Sequence, residues 1–238
     1  MLIMALDSSG VTATAAIATP EKIIAEYSVN NKLTHSQTLL PMLEEIRRMA
    51  GLEMKDVDAV ALTGGPGSFT GLRIGSATAK GIALALQIPV ISVPTLEAMA
   101  WNLIGREGLI CPMMDARRGQ VYTGIYRSRG TYMETVADQM AADAAEMAGR
   151  LNELGEKVTL LGDGADAYLD RLRETLTVPW EMAPVHLARP RAGAVAMCAF
   201  HYWEQGKAVN GSEHVPTYLR LSQAERVRAE KEHSDEQR

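Results

Sequence analysis

The sequence predicts an α/β protein of two related lobes, each a mixed sheet flanked by helices. Three observations carry that expectation. A short apolar strand that ends in Asp and passes into a tight turn occurs twice, at Leu2 to Asp7 and at Leu109 to Asp115. Each occurrence opens a three-strand meander. Helices and strands then alternate, which is the pattern of a mixed sheet covered on its faces, so the chain reads as a duplicated βββαβα unit.

In the first half, Leu2 to Leu6 is the first strand, Ser8-Ser9-Gly10 the turn, Val11 to Ala18 the second strand and Ile23 to Val29 the third. A helix over Ser36 to Ala50, a strand over Val57 to Thr63, a helix over Thr70 to Leu86 and a strand over Pro89 to Val93 follow. In the second half the strands are Leu109 to Met114, Gln120 to Tyr126 and Thr131 to Val136, with Ala116-Arg117-Arg118-Gly119 as the turn. A helix over Asp138 to Leu154, a strand over Val158 to Leu161 and a helix over Asp166 to Leu176 complete the repeat. The last helix, residues 188–205, closes the domain and could pack back on the first lobe. The expected division is therefore an N-terminal lobe over 1–105, a C-terminal lobe over 106–220, and a charged tail over 221–238, where interleaved acids and bases suggest a solvated segment.

Two halves that each open strand-Asp-turn-strand suggest the actin/Hsp70/sugar-kinase-like (ASKHA) fold, which clamps a nucleotide between related lobes. In that architecture both turns point into the cleft, where backbone amides can face phosphates. The bland alternative is coincidence between two ordinary α/β domains.

Composition narrows the function. An apolar fraction of 47% and a charged fraction of 22% are ordinary for a folded protein, and a net charge of −5 argues against a broad nucleic-acid surface. Cys111 and Cys198 sit in apolar stretches and read as buried free thiols. The apolar start, Met1 to Leu6, is stopped by Asp7 well short of a signal sequence, and no run approaches a membrane span. The expected location is cytoplasmic.

The two helices of the first half carry apolar faces of different kinds. Leu39, Leu43, Ile46 and Ala50 form a core stripe at helical spacing, and Met42 and Met49 widen it. The next helix carries only Arg73 and Lys80 as charges, while Gly71, Gly75, Ala79 and Ala83 recur every four residues. Such a ridge either packs within its own chain or receives a helix of another.

Candidate chemistry is sparse. Gly64-Gly65-Pro66-Gly67-Ser68-Phe69-Thr70-Gly71 lies between a strand and a helix, where free amides could hold an anion. It is neither a P-loop nor a dinucleotide fingerprint, and a tight turn is the other reading. Gly162-Asp163-Gly164 could let an adenine ring lie flat. Asp7 and Asp115 could hold Mg²⁺ through water or act as a base, or each could brace its own turn as an Asx residue. His35, His186, His201, His214 and His233 have no zinc-ligand spacing, and His35 reads as part of a helix start with Thr34 or Ser36 as cap. Ser8, Ser9 and Ser68 have no identifiable His/Asp partner. The weak cofactor-binding candidates are thus Asp7, Gly67, Asp115, Gly162 and Gly164. No catalytic or metal-binding residue is assigned. The alternative reading at this point is a small kinase or ATPase using the cleft.

Several stretches resemble a known family. They are Gly65-Pro66-Gly67-Ser68-Phe69-Thr70-Gly71-Leu72-Arg73-Ile74-Gly75, then Pro94-Thr95-Leu96-Glu97-Ala98-Met99, then Met114-Asp115-Ala116-Arg117-Arg118-Gly119-Gln120-Val121-Tyr122. Ala5-Leu6-Asp7-Ser8-Ser9, His35-Ser36-Gln37 and Val215-Pro216-Thr217-Tyr218-Leu219-Arg220 fit as well. Together they resemble the bacterial threonylcarbamoyladenosine biosynthesis family TsaB (YeaZ), over nearly the whole chain to about residue 220. The resemblance implies a subunit of the complex that puts a threonylcarbamoyl group on N6 of adenosine 37 of tRNAs reading ANN codons. It implies a catalytic paralogue, TsaD, an ATPase, TsaE, a homodimer when alone, and tRNA reached indirectly through the complex; direct contact with tRNA stays open. Pairing is expected through helices of the N-terminal lobe, with Leu39, Met42, Met49, Gly71, Arg73, Gly75 and Ala79 as interface candidates. The catalytic relative holds metal with a His-x-x-x-His motif, and the matching positions here are Thr95 and Met99. No cofactor is expected, and the chain reads as a fold retained without its chemistry.

Overall fold

The alternating strands of each half assemble into two five-stranded sheets with the same topology in this computed structural model, which describes residues 1–31 and 33–220. In the first sheet β1 (Ile3–Asp7), β2 (Ala13–Thr19) and β3 (Lys22–Val29) form an antiparallel meander. β4 (Ala59–Thr63) and β5 (Val90–Val93) then add in parallel on the other side of β1, giving the order β3-β2-β1-β4-β5. In the second, β6 (Leu109–Arg117), β7 (Gln120–Ser128) and β8 (Met133–Asp143) form the meander. β9 (Val158–Leu161) and β10 (Trp180–Met182) extend it in parallel, giving β10-β9-β6-β7-β8. The order of each sheet is the other's, element for element, so the duplication is structural.

Side chains alternate across a strand, and here each face of the first sheet has its own core. Met4, Leu6, Ala15, Ile17, Val60 and Leu62 pack with α1 (His35–Met49) and α2 (Phe69–Leu86). Ile3, Ala5, Ala16, Ala18, Ala59, Ala61, Ile91 and Val93 face α3 (Thr95–Ala100) and α7 (Ala192–Glu204). That second core also takes in Ile110, Met114, Tyr126 and Leu161, so α3 and α7 form a middle layer between the two sheets. On the far side α4 (Ala144–Leu154), α5 (Asp163–Ala167) and α6 (Leu169–Thr175) cover the second sheet with Met147, Leu151, Ala165 and Leu172. The result is a five-layer stack, helices–sheet–helices–sheet–helices.

Local chemistry starts and stops these helices. The Ser68 hydroxyl accepts from the Gly71 amide at the start of α2, and Asp143 accepts from Ala145 at the start of α4. Thr34 and Gln37 form a capping box for α1. α4 ends at Gly155 with φ 68°. The start of α7 is held from the first sheet: Glu26 pairs with Arg191 and accepts from the Gly193 amide at 2.9 Å. The Ala192 amide donates to the Thr14 hydroxyl at 3.1 Å.

The sequence reading differs from the structure in four places. Residues 138–143 were expected to begin a helix, yet β8 runs to Asp143 and α4 begins only at Ala144. Pairing of Gln120 with Asp143 and Thr123 with Met140 along the ladder overrides the helical preference of an Ala-rich stretch. The last helix begins at Ala192 rather than Ala188, because Pro190 disfavours helical geometry in the residue before it. The helix expected over Asp166 to Leu176 is two short helices, α5 and α6. α3 and β10 were not read at all; each is too short to show a period. The charged tail over 221–238 lies outside the described residues.

Candidate functional site

The two turns after the repeated strands use one bonding scheme. Asp7 Oδ1 accepts from the Ser9 amide at 2.7 Å, and Asp115 Oδ1 accepts from the Arg117 amide at 2.8 Å. Each Asp thus closes an Asx turn two residues on. Each receives a second, hydroxyl donor from a distant element. Thr63 at the end of β4 donates to Asp7 at 2.8 Å, and Tyr168 donates to Asp115 at 3.2 Å. Asp7 is 1% exposed, and burial raises its pKa against the opposing hydrogen bonds from Ser9 and Thr63. A carboxylate so enclosed braces the turn and is not free to anchor a hydrated cation.

Between the turns lies a cleft of about 510 Å³, lined from the first lobe by Ser9, Ser68 and Phe69 and from the second by Asp115, Tyr122 and Asp163. The glycines around it are filled from within. At Gly67 a side chain would run into the Ser9 carbonyl, which itself accepts from the Ser68 amide at 2.7 Å. Part of the anion-binding capacity of the α2 N-terminus is therefore spent on the neighbouring turn. Gly162, with φ 101°, sits against the Met113 carbonyl, and a Cβ on Gly164 would lie 2.8 Å from the Met114 backbone. These two glycines let α5 press on β6. The close approach that these glycines permit is made to the chain's own backbone.

The stretch after β5 is equally closed. Thr95 is fully buried and its hydroxyl has no hydrogen-bond partner, while Met99 lies in the middle-layer core at 1% exposure. Glu97 accepts from the Tyr202 hydroxyl of α7 at 2.7 Å and from the Cys198 thiol at 3.8 Å. These residues do not fit a first-row metal: one hydroxyl, one thioether and one carboxylate already engaged make a poor donor set. Among the described residues no cluster of three or more His, Cys, Asp or Glu side chains could hold an ion.

Burial raises the pKa of Glu97 above 4.5, opposed by the Tyr202 hydrogen bond and more weakly by Lys207 and His201. A carboxyl whose pKa is raised in the fold favours folding most when protonated, and that contribution fades as pH climbs through the raised value. Glu97→Gln keeps an acceptor for Tyr202 and removes the titration. The variant's melting temperature should therefore fall less than wild type's as pH rises from 4.5 to 7. Parallel melting-temperature profiles across that interval would contradict the assignment. Cys111 and Cys198 are free and buried, and burial pushes the Cys111 thiol up to about 12.

The interface candidates separate into two groups. Leu39, Met42 and Ala79 are at most 4% exposed and lie in the core beneath α1 and α2. Gly71 and Gly75 are buried against Ser8, whose hydroxyl donates to the Gly71 carbonyl at 2.8 Å. The small-residue ridge therefore receives the first turn of its own lobe, and Met42 fills the core instead of flanking it. Met49 and Arg73 are exposed. Arg73 lies 5.6 Å over the Phe69 ring and donates to the Tyr218 hydroxyl at 3.4 Å.

Three contacts had no signal in the sequence. Tyr202 reaches Glu97 across 105 positions, and Tyr168 reaches Asp115 across 53. The segment after His214 also closes on the loop 64–71. The Thr217 amide donates to the Gly64 carbonyl at 2.7 Å, Tyr218 stacks on Phe69 at 4.1 Å, and Arg220 donates to the Ala116 carbonyl at 2.5 Å. His35 opens α1 as expected, with Thr34 in the cap position, and its Nε2 lies 2.7 Å from the Gly10 carbonyl.

A duplicated meander-plus-parallel sheet, with paired Asp turns facing across a cleft, defines a two-lobed actin-like protein of the ASKHA class. Solved structures share that fold at low identity. One is the activator of 2-hydroxyisocaproyl-CoA dehydratase from Clostridium difficile, with TM-score 0.51 and 13% identity over 87% of this chain and 97% of that one. The match to the family described as TsaD, tRNA N6-adenosine threonylcarbamoyltransferase, spans residues 22–226. The tRNA threonylcarbamoyladenosine biosynthesis protein TsaB of Bacillus subtilis (strain 168) is 32% identical over 94% of this chain and 96% of its own length. The TsaB of Escherichia coli (strain K12) is 29% identical over 92% and 95% respectively. YeaZ from Pseudomonas aeruginosa superposes with TM-score 0.76 at 27% identity, over 92% of this chain and 99% of that one. The chain belongs to the TsaB (YeaZ) family, within the wider TsaD family.

Proposed function

We propose that this chain is a non-catalytic subunit of the assembly that forms N6-threonylcarbamoyladenosine at position 37 of tRNAs reading ANN codons. In this reading it activates the catalytic paralogue TsaD by pairing with it, with the ATPase TsaE supporting turnover, and it forms a homodimer when alone. The observation that carries the reading is the closed stretch after β5. Thr95 is fully buried and Met99 is 1% exposed, at the positions that the family resemblance matches to the histidines of the catalytic relative, and Glu97 is bound to Tyr202. Family membership supplies the pathway, and the names of the relatives in Bacillus subtilis and Escherichia coli support it.

The pairing surface is the outer side of α1 and α2. Thr70, Arg73, Ala77, Gly81 and Leu84 are exposed at three- and four-residue steps along α2, and only one of them is charged. Leu40 and Met49 are exposed on α1. The working division is a partner-binding lobe over 1–105 and a second lobe over 106–220. A cytoplasmic location suits a tRNA-modifying assembly, and among the described residues no helix is long and apolar enough to cross a membrane.

The test is reconstitution. Purified chain alone should transfer no threonylcarbamoyl group to tRNA, and its addition to TsaD with TsaE should raise turnover. Transfer by the chain alone, or no change on addition, would sink the reading. The cleft leaves one other reading, a nucleotide-dependent enzyme; heat of ATP–Mg²⁺ binding to the isolated chain at millimolar nucleotide would favour it.

A further inference from the structure

The hairpin joining β6 and β7 is built from unusual residues. Arg117 pairs with Gln120, so Arg118 and Gly119 form a two-residue turn. Arg117, Arg118 and Gly119 all have positive φ, at 67°, 57° and 80°. A two-residue hairpin turn with two positive φ values favours Asn-Gly, because a branched or long side chain resists the left-handed region. Two consecutive arginines in that region are a poor choice for the turn itself. What they supply is charge, held outward. Arg117 is 85% exposed, with its Nε 3.8 Å from Asp115. Arg118 is exposed and enters no ion pair among the described residues.

Arg117 stands on the rim of the cleft together with Arg220. Arg220 donates to the Ala116 carbonyl beside Arg117, and Tyr218 of the same segment stacks on Phe69 and accepts from Arg73 at 3.4 Å. Asp115 accepts from the Arg117 amide and partly matches its guanidinium at 3.8 Å, and Asp163 accepts from the Asp115 amide at 3.2 Å, whereas Arg118 has no carboxylate partner among the described residues. A net charge of −5 over the whole chain makes this a local feature.

We propose that Arg117 and Arg118, with Arg220 beside them, form a contact for the phosphate backbone of the tRNA. The inference rests on the function proposed above, in which tRNA is the substrate of the assembly. Guanidinium groups match phosphate oxygens in a fixed fork, and an open rim suits an extended polyanion better than a small ligand within the cleft. An acidic protein face is the competing occupant.

The left-handed backbone provides a clean experiment. Arg117→Gly/Arg118→Gly removes both charges and suits the turn, while Arg117→Lys/Arg118→Lys keeps both charges. Binding of an unmodified tRNA transcript to the full chain, alone and assembled with TsaD, is followed by anisotropy over a range of salt. The glycine variant should melt no lower than wild type, lose about tenfold or more in affinity, and show a log K against log salt slope smaller by about 1.5. The lysine variant should stay within about threefold of wild type. Equal affinity and slope for the glycine variant, or no tRNA binding by wild type, overturns the proposal. Loss of pairing with TsaD while tRNA affinity is retained also overturns it, in favour of a protein contact. Failure of the underlying function shows separately, as a wild-type chain that does not raise TsaD turnover.

Discussion

Gly71→Ala is expected to lower the melting temperature by roughly 5–10 °C, the largest stability loss from adding a single methyl group to α2. The Cβ would run into the Ser8 carbonyl, a backbone atom fixed by the strand before it and by the Ser8 hydroxyl's own bond to Gly71. Overpacking of this kind costs about 1–3 kcal/mol, and the upper end applies because neither the helix nor the turn can yield without moving the sheet. Gly81 on the same helix gives the opposite sign. A Cβ there meets nothing within 4 Å, so Gly81→Ala should stabilise by about 0.5–1 kcal/mol through helix propensity alone. Thermal melts of the two variants decide the matter. If both shift the same way, the turn-on-ridge packing is wrong.

That contrast also shows what the sequence could and could not reveal. The four-residue recurrence of Gly71, Gly75 and Ala79 said that something must approach α2 closely, but recurrence does not name the approaching group. The answer is Ser8, which lies 63 positions away in sequence, and only the folded chain brings it there. The repeated strand-Asp-turn was fully legible, because an Asx turn is a local arrangement and its residues are adjacent. The sheets followed from it. Elements decided by non-local pairing were not legible: Ala137 to Asp143 carries helix-forming residues yet completes β8 on the ladder. In the candidate site, Thr95 and Met99 were visible only through a resemblance. The Tyr202 partner that fixes Glu97 left no trace at all in local sequence.

Leu84→Lys should abolish or weaken pairing with TsaD by about tenfold or more while leaving the chain folded, and turnover of the assembly should fall with it. Leu84 is 81% exposed near the C-terminal end of α2. A lysine there meets solvent in the free chain and is favoured by the helix dipole, so the folded state should be unharmed. In the paired state the same ammonium would have to be stripped of water against an apolar face, a cost the partner cannot offset without a matching carboxylate. The exposed positions that precede Leu84 on the same face of α2, Ala77 and Gly81, carry no carboxylate. Met42 makes the contrast: at 4% exposure, Met42→Asp buries an unpaired charge in the core beneath the helix, and loss of pairing there would report unfolding. Val185→Lys, at a position 91% exposed in the second half of the chain, serves as the neutral control. Size-exclusion with TsaD, read beside a thermal melt of each variant, separates the outcomes. A folded Leu84→Lys that pairs as wild type does would remove the outer face of α2 from the interface.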